Sequence, residues 1–271
     1  VITPPAPILA DYPDSTAVAV LDPGGQLIID ERADQDCLPG STVKLMTAMV
    51  ALTLFDDLER ELTVGAGDLR RGSGKNLFAG DTLTVWDALH DLLLPSSNTA
   101  AAAIARPAGT QLSVKRPITA FMAAMNYEGR RLGLRRTRFS NATGLYRKGM
   151  SITSTAREIA HLVRAVSKDP VIAQVWSKKT YQMSVGGPQA RTVDLVSTVP
   201  ELGPRVLGAK TGSTPTEGVY AATALLDTGH SVAVVGTSKD DRWEILADTV
   251  GRLPTHVATE IPPSSALRTV E

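Results

Sequence analysis

Apolar and polar positions follow two different periods along this chain, strand-like at its two ends and helix-like through its middle. Thr16 to Leu21 and Gln26 to Asp30 are apolar runs separated by Asp22-Pro23-Gly24-Gly25, a turn sequence that predicts an antiparallel hairpin. From Ser41 the period changes. Val43, Met46, Thr47, Val50 and Leu54 recur every three or four residues and Pro39-Gly40 breaks the chain just before, so a helix starts at Ser41. Asp81 or Thr82 can cap a second helix running through Leu94. Pro95 interrupts it, and Asn98 to Ala105 reads as a short alanine-rich helix. Ser96 and Asn98 then fall at a turn between helices. Ile118 to Leu134 and Ser154 to Val166 are amphipathic and are divided by the polar segment Ser140-Asn141-Ala142-Thr143-Gly144, so the middle is predicted as all helix.

Strand-like stretches follow near Thr180 to Val185, Thr192 to Val196, Val206 to Lys210, Val219 to Leu226 and Ser231 to Ser238. Asp227-Thr228-Gly229-His230 forms a hairpin turn, and a helix near Asp241 to Leu253 closes the pattern. Strands at both ends flanking helices predict an α+β fold. Its core is a mostly antiparallel sheet flanked by helices, with a helical subdomain inserted at about residues 60–167 of a domain spanning 15–253. Residues 1–14 carry Pro4, Pro5, Pro7 and Pro13 and read as an extended arm of a mature or trimmed product. Pro262 and Pro263 mark 254–271 as a tail.

The chain has 271 residues, 43% of them hydrophobic, which is enough for one large domain or two interleaved ones. Its 28 basic and 28 acidic residues leave no net field to favour nucleic acid or an anionic membrane, so recognition must be local. The run Arg130, Arg131, Arg135, Arg136 and Arg138 reads as a solvated helix end and turn. A lone cysteine, Cys37, excludes an internal disulfide framework and reads as a small residue packed beside Ser41. The four histidines lack metal-ligand spacing, so neither a metal nor a cofactor is expected. No apolar run reaches the length of a membrane span.

Three short motifs carry the candidate chemistry: Ser41-Thr42-Val43-Lys44, Ser96-Ser97-Asn98 and Lys210-Thr211-Gly212. A serine hydroxyl is a poor nucleophile at neutral pH and needs a base within reach and donors aimed at the developing oxyanion. Residues three apart on a helix share a face, which puts the Lys44 amine beside the Ser41 oxygen. To accept a proton Lys44 must be neutral, and burial together with a second cation, Lys210, would lower its pKa. Ser96 can relay a proton between a lysine and a leaving amine, and the Asn98 amide can hydrogen-bond a substrate backbone. Lys210-Thr211-Gly212-Ser213 is expected to end a strand along the site's edge, with Gly212 admitting close approach of a substrate backbone.

This motif set resembles the active site of penicillin-binding proteins. The similarity to the low-molecular-mass D-alanyl-D-alanine carboxypeptidases extends over residues 15–253. It includes Ser41 to Thr47, the Gly72-Ser73-Gly74 stretch, Met125-Asn126, Phe139-Ser140-Asn141 with Gly144-Leu145, and Thr155-Ala156 with Leu162. Gly40, Ser97 and Thr99 depart from the usual alanine, glycine and aspartate. The resemblance implies a serine peptidase that removes the terminal D-alanine of peptidoglycan stem peptides through a Ser41 acyl-enzyme, is acylated by β-lactams, and works outside the cytoplasmic membrane. It implies an oxyanion hole from the backbone N–H groups of Ser41 and Ser213. It also makes Arg191 and Arg242 candidates to bind the substrate carboxylate beside Thr211 and Ser213. Two alternatives share the scaffold, a serine β-lactamase and an idle cell-wall-binding or β-lactam-sensing domain. Against the first, no Glu-x-x-Leu-Asn segment follows Asn98, and the nearest imitation, Glu59 to Thr63, precedes it.

Overall fold

The computed structural model describes residues 14–255, so the expected N-terminal arm and most of the expected tail lie outside the described residues. Asp22 ends β1 (Ala17–Leu21) and turns the chain into β2 (Leu27–Glu31): its carboxylate accepts from Gln26 N and its carbonyl from Gly25 N. The C-terminal strands β7 (Val206–Thr214), β8 (Val219–Leu226) and β9 (Ser231–Gly236) complete an antiparallel sheet in the order β2-β1-β9-β8-β7. Lys210 is paired with Thr223, and β7 is an edge.

Both faces of this sheet are covered, which is why β1, β8 and β9 read as near-continuous apolar runs. Val18, Val20, Ala224, Val232 and Val234 point toward α7 (Asp241–Gly251), where they meet Leu246 and Val250. On the opposite face Ala17, Ala19, Ala221 and Ala233 meet Ala156, Ile159 and Ala160 of α5 (Ala156–Val166). The period-two alternation of a strand sends successive side chains to opposite faces, so each face meets its own helix.

The helical core gathers α1 (Val43–Leu54), α2 (Val85–Leu93), α3 (Asn98–Leu112), α4 (Pro117–Arg131) and α6 (Pro170–Trp176) around Leu45, Met46, Leu92, Phe121 and Trp176. Several expectations are corrected. The middle is not all helix, since β3 (Glu61–Thr63) and β4 (Thr82–Thr84) pair within it. Thr84, rather than Asp81 or Thr82, caps α2, accepting from Asp87 N at 3.0 Å. The alanine-rich helix α3 runs past Ala105 to Leu112 through Pro107, because its buried alanine face continues to Ala108 and packs against α4. Strands β5 (Thr180–Val185) and β6 (Arg191–Val196) form a separate hairpin and do not join the main sheet.

Candidate active site

Ser41 sits in a single 3-10 turn, Gly40–Thr42, that runs directly into α1. The turn is pressed against β7. A Cβ on Gly40, whose φ is +52°, would lie 2.6 Å from Ser213 N, and one on Gly212 would lie 2.5 Å from the Pro39 carbonyl. Gly212 therefore admits the nucleophile's own turn. Lys210 to Ser213 forms the C-terminal part of β7, which runs past the expected limit at Lys210 to Thr214.

Lys44 follows one helical turn later and is fully buried. Its Nζ lies 2.8 Å from Ser41 Oγ, 2.8 Å from Asn98 Oδ1 and 2.8 Å from the Thr143 carbonyl. Two of these neighbours can only accept. A neutral amine has two N–H bonds and one lone pair, so Asn98 and Thr143 take the protons and the lone pair faces the serine hydroxyl. Burial, and after it Lys210, holds the Lys44 amine well below its ordinary value, with Asp91 pulling the other way.

The Asn98 amide is fixed by its far side, where Nδ2 donates to the Arg71 carbonyl at 2.9 Å. It orients Lys44 and anchors the 71–74 loop. Ser96 adopts a left-handed backbone with φ +64°, uncommon for a serine and worth about 1–3 kcal/mol of strain. Flanking bonds hold it there: Ser97 N donates to the Asp91 carbonyl, Asn98 N to Ser73, and Ser97 Oγ accepts from Ala100 N as the cap of α3. Lys210 Nζ donates to Ser96 Oγ at 2.7 Å. That amine is pushed down to about 7 by burial and by the charge of Arg242.

The structure thus brings Ser41, Lys44, Ser96, Asn98, Lys210, Thr211, Gly212 and Ser213 into one cluster where α1, the α2–α3 turn and β7 meet. Arg242 joins it from α7. Its guanidinium donates to the Gly212 carbonyl at 2.9 Å and to Ser213 Oγ at 3.1 Å, and its charge lies over the Tyr220 and Trp243 rings. Arg191 does not join. It forms an ion pair with buried Asp81 at 2.7 Å and donates to the Asn76 carbonyl at 2.6 Å. Burial raises the Asp81 pKa, but the bonds from Arg191 and Phe78 N–H outweigh it and leave the carboxyl below its ordinary value. Cys37 bridges Ser154 by its backbone. Burial, then Asp36 and Glu158, push its thiol up to about 12, so it is inert at neutral pH.

Thr143 lies outside the three motifs, yet its carbonyl reaches the Lys44 amine. The signal for it was present in Asn141-Ala142-Thr143-Gly144: the Asn141 carboxamide accepts from Thr143 N and Gly144 N, an Asx-type turn that presents the Thr143 carbonyl to Lys44. Thr47, one turn beyond Lys44, donates to the Ala142 carbonyl and ties the same segment to α1.

Residues 5–236 match the family model described as D-alanyl-D-alanine carboxypeptidase. The D-alanyl-D-alanine carboxypeptidase DacB2 of Mycobacterium tuberculosis is 32% identical over 213 residues, covering 76% of this chain and 68% of that protein. A D-alanyl-D-alanine endopeptidase of Pseudomonas aeruginosa is 29% identical over 175 residues, 63% of this chain and 53% of the relative. The chain thus spans little more than half of that relative's length. The crystal structure of the Streptomyces K15 DD-transpeptidase superposes with a TM-score of 0.78 at 25% identity, covering 89% of this chain and 97% of that one.

Proposed function

Because this chain belongs to the D-alanyl-D-alanine carboxypeptidase family, we propose that it is a serine DD-peptidase that removes the terminal D-alanine of peptidoglycan stem peptides. The observation that carries this reading is the buried Lys44 amine, with both carbonyl acceptors filled and its remaining position on Ser41 Oγ. Ser41 Oγ attacks the carbonyl carbon of the penultimate D-alanine while its proton passes to Lys44 Nζ. The negative charge that develops on the carbonyl oxygen falls to the Ser41 and Ser213 backbone N–H groups, and the Gly40 turn packs directly against Ser213 N. The C–N bond then breaks, and Ser96, fed by Lys210, supplies the proton that the leaving D-alanine amine needs. Water then adds to the ester carbonyl and gives its proton through Ser96 to Lys210, while Lys44 returns its proton to the departing Ser41 Oγ, so the shortened peptide leaves as the acid and all the groups are restored. Arg242, against Ser213, supplies the positive field for the substrate's terminal carboxylate. The substrate places the protein outside the cytoplasmic membrane, with roles in cell-wall maturation and cell shape.

A β-lactam presents its ring carbonyl to the same serine. Among the described residues no carboxylate hydrogen-bonds to Ser41, Lys44, Ser96 or Asn98, so the adduct has no acidic side chain poised to activate water against it. Intact-protein mass spectrometry should show one penicilloyl group per chain, on the Ser41 peptide, absent in Ser41→Ala and persisting for minutes or longer. Rapid clearance of penicillin without an accumulating adduct would assign a β-lactamase instead. Failure to release D-alanine from a D-Ala-D-Ala peptide would favour a binding domain.

A further inference from the structure

Asp91, on α2, is fully buried and is not used by the mechanism above. Other buried acids have conventional partners: Asp68 pairs with Arg106, Asp81 with Arg191, and Asp87 accepts from the Tyr181 hydroxyl. Asp91 has no ion pair among the described residues. Its Oδ1 accepts from Asn76 Nδ2 at 2.7 Å, and its Oδ2 is buried without a hydrogen-bond partner. The Ser97 side chain lies beside the carboxyl, but its hydroxyl donates to the Gly74 carbonyl. An unsatisfied buried carboxylate oxygen is costly, so its retention calls for an explanation.

Its surroundings supply one. Helix α2 packs against α1, α3, α6, β4 and β5. From α1 the one charge is Lys44. Helix α3 brings Arg106, neutralised by Asp68. Helix α6 and β4 bring no titratable side chain, and β5 brings Tyr181, bonded to Asp87. The 71–77 loop brings Asn76, with Arg191 on its carbonyl, while Arg71 and Lys75 stand in solvent. On α2 itself, His90 is tied to the Trp86 carbonyl and faces Lys178. Lys210 lies beyond Ser96. Lys44 is thus the charge that Asp91 acts upon, and the two influence each other's protonation in opposite senses.

We propose that Asp91 is a positioning residue for acylation: it is the internal counter-charge of Lys44 and, through Asn76, ties the 71–77 loop to the turn carrying Ser96 and Asn98. The inference rests on the reading of Lys44 as the base. Burial raises the Asp91 carboxyl to about 6, and above that pH its charge favours the ammonium form of Lys44. Asp91→Asn keeps the acceptor for Asn76 and removes the charge. Lys44 then releases its proton at lower pH, and the acid limb of the penicillin acylation rate should move down by at least about half a pH unit, with the alkaline plateau within about threefold of wild type. A purely structural role would change the plateau or the melting temperature and leave the limb in place.

Coincident limbs, or a limb moved upward, would overturn the proposal while leaving the peptidase reading intact. A wild-type chain that penicillin does not acylate would overturn both. Should Asp91→Asn fail to fold, carboxyl carbon NMR on the wild type and on Lys44→Met decides. Removing the Lys44 charge should move the Asp91 titration to higher pH, and an unchanged midpoint in the two proteins sinks the inference.

Discussion

Lys210 is carried by the fold in a form that opposes folding, and replacing it should make the protein more stable while disabling it. Moving a lysine from its ordinary 10.5 down to about 7 costs the native state on the order of 4 kcal/mol at pH 7. The sign follows from proton counting. Between those two values the unfolded chain holds a proton that the folded chain releases, so stability rises with pH across the window. Below about 7 the full penalty is present. Lys210→Met keeps most of the side-chain volume and removes the amine, at the loss of the bond to Ser96 Oγ, worth about 1–2 kcal/mol. The variant should therefore be more stable than wild type by about 2 kcal/mol at pH 7, and this advantage should vanish or reverse by pH 10. Urea unfolding of both proteins from pH 6 to 10, followed by tryptophan fluorescence, measures the difference directly. Penicillin acylation on the same samples should fall at least about tenfold. A stability difference that stays constant from pH 6 to 10 would show that Lys210 keeps its ordinary proton affinity, and the folding penalty assigned to its burial would fall.

Lys44→Arg keeps a cation at the same place but cannot offer a lone pair, so acylation should drop by about 10²-fold or more in stopped-flow assays with a chromogenic cephalosporin. Retention of more than about a tenth of the rate, a loss under ~1.4 kcal/mol, would remove Lys44 as the base. The two candidate arginines should separate cleanly. Arg242→Gln should erase the preference for a peptide with a free terminal carboxylate over its amide. Arg191→Gln should keep that preference while lowering stability by about 2–3 kcal/mol, because it strands buried Asp81. Product analysis on the paired acid and amide substrates, alongside urea melts, tests both.

Local chemistry carried much of this protein on its surface. Asp22-Pro23-Gly24-Gly25 turns a hairpin because its side-chain and backbone acceptors lie within four residues of their donors. Ser41 and Lys44 meet because a helix brings positions three apart onto one face. The apolar period that announced α1 and α5 is the same one that buries Met46 and Ile159. Wherever donor and acceptor, or nucleophile and base, are neighbours in the chain, residue order decides the outcome.

Contacts between distant segments were decided by the fold alone. Lys44 is positioned by carbonyl groups 54 and 99 residues away, and nothing in its own helix specifies them. Arg191 looked as eligible as Arg242 for a carboxylate. Packing of β6 against the Asp81 loop bound it to an internal acid, while α7 delivered Arg242 to Ser213. The Lys210-Thr211-Gly212-Ser213 stretch lies between two apolar runs, and it ends β7 to within one residue of Thr214. Its glycine is needed there for the close approach of Pro39, a constraint visible only once the two segments touch. Burial is equally non-local. The same lysine is an ordinary cation in a peptide and a base in this interior, since its proton affinity depends on how much water the whole fold excludes around it.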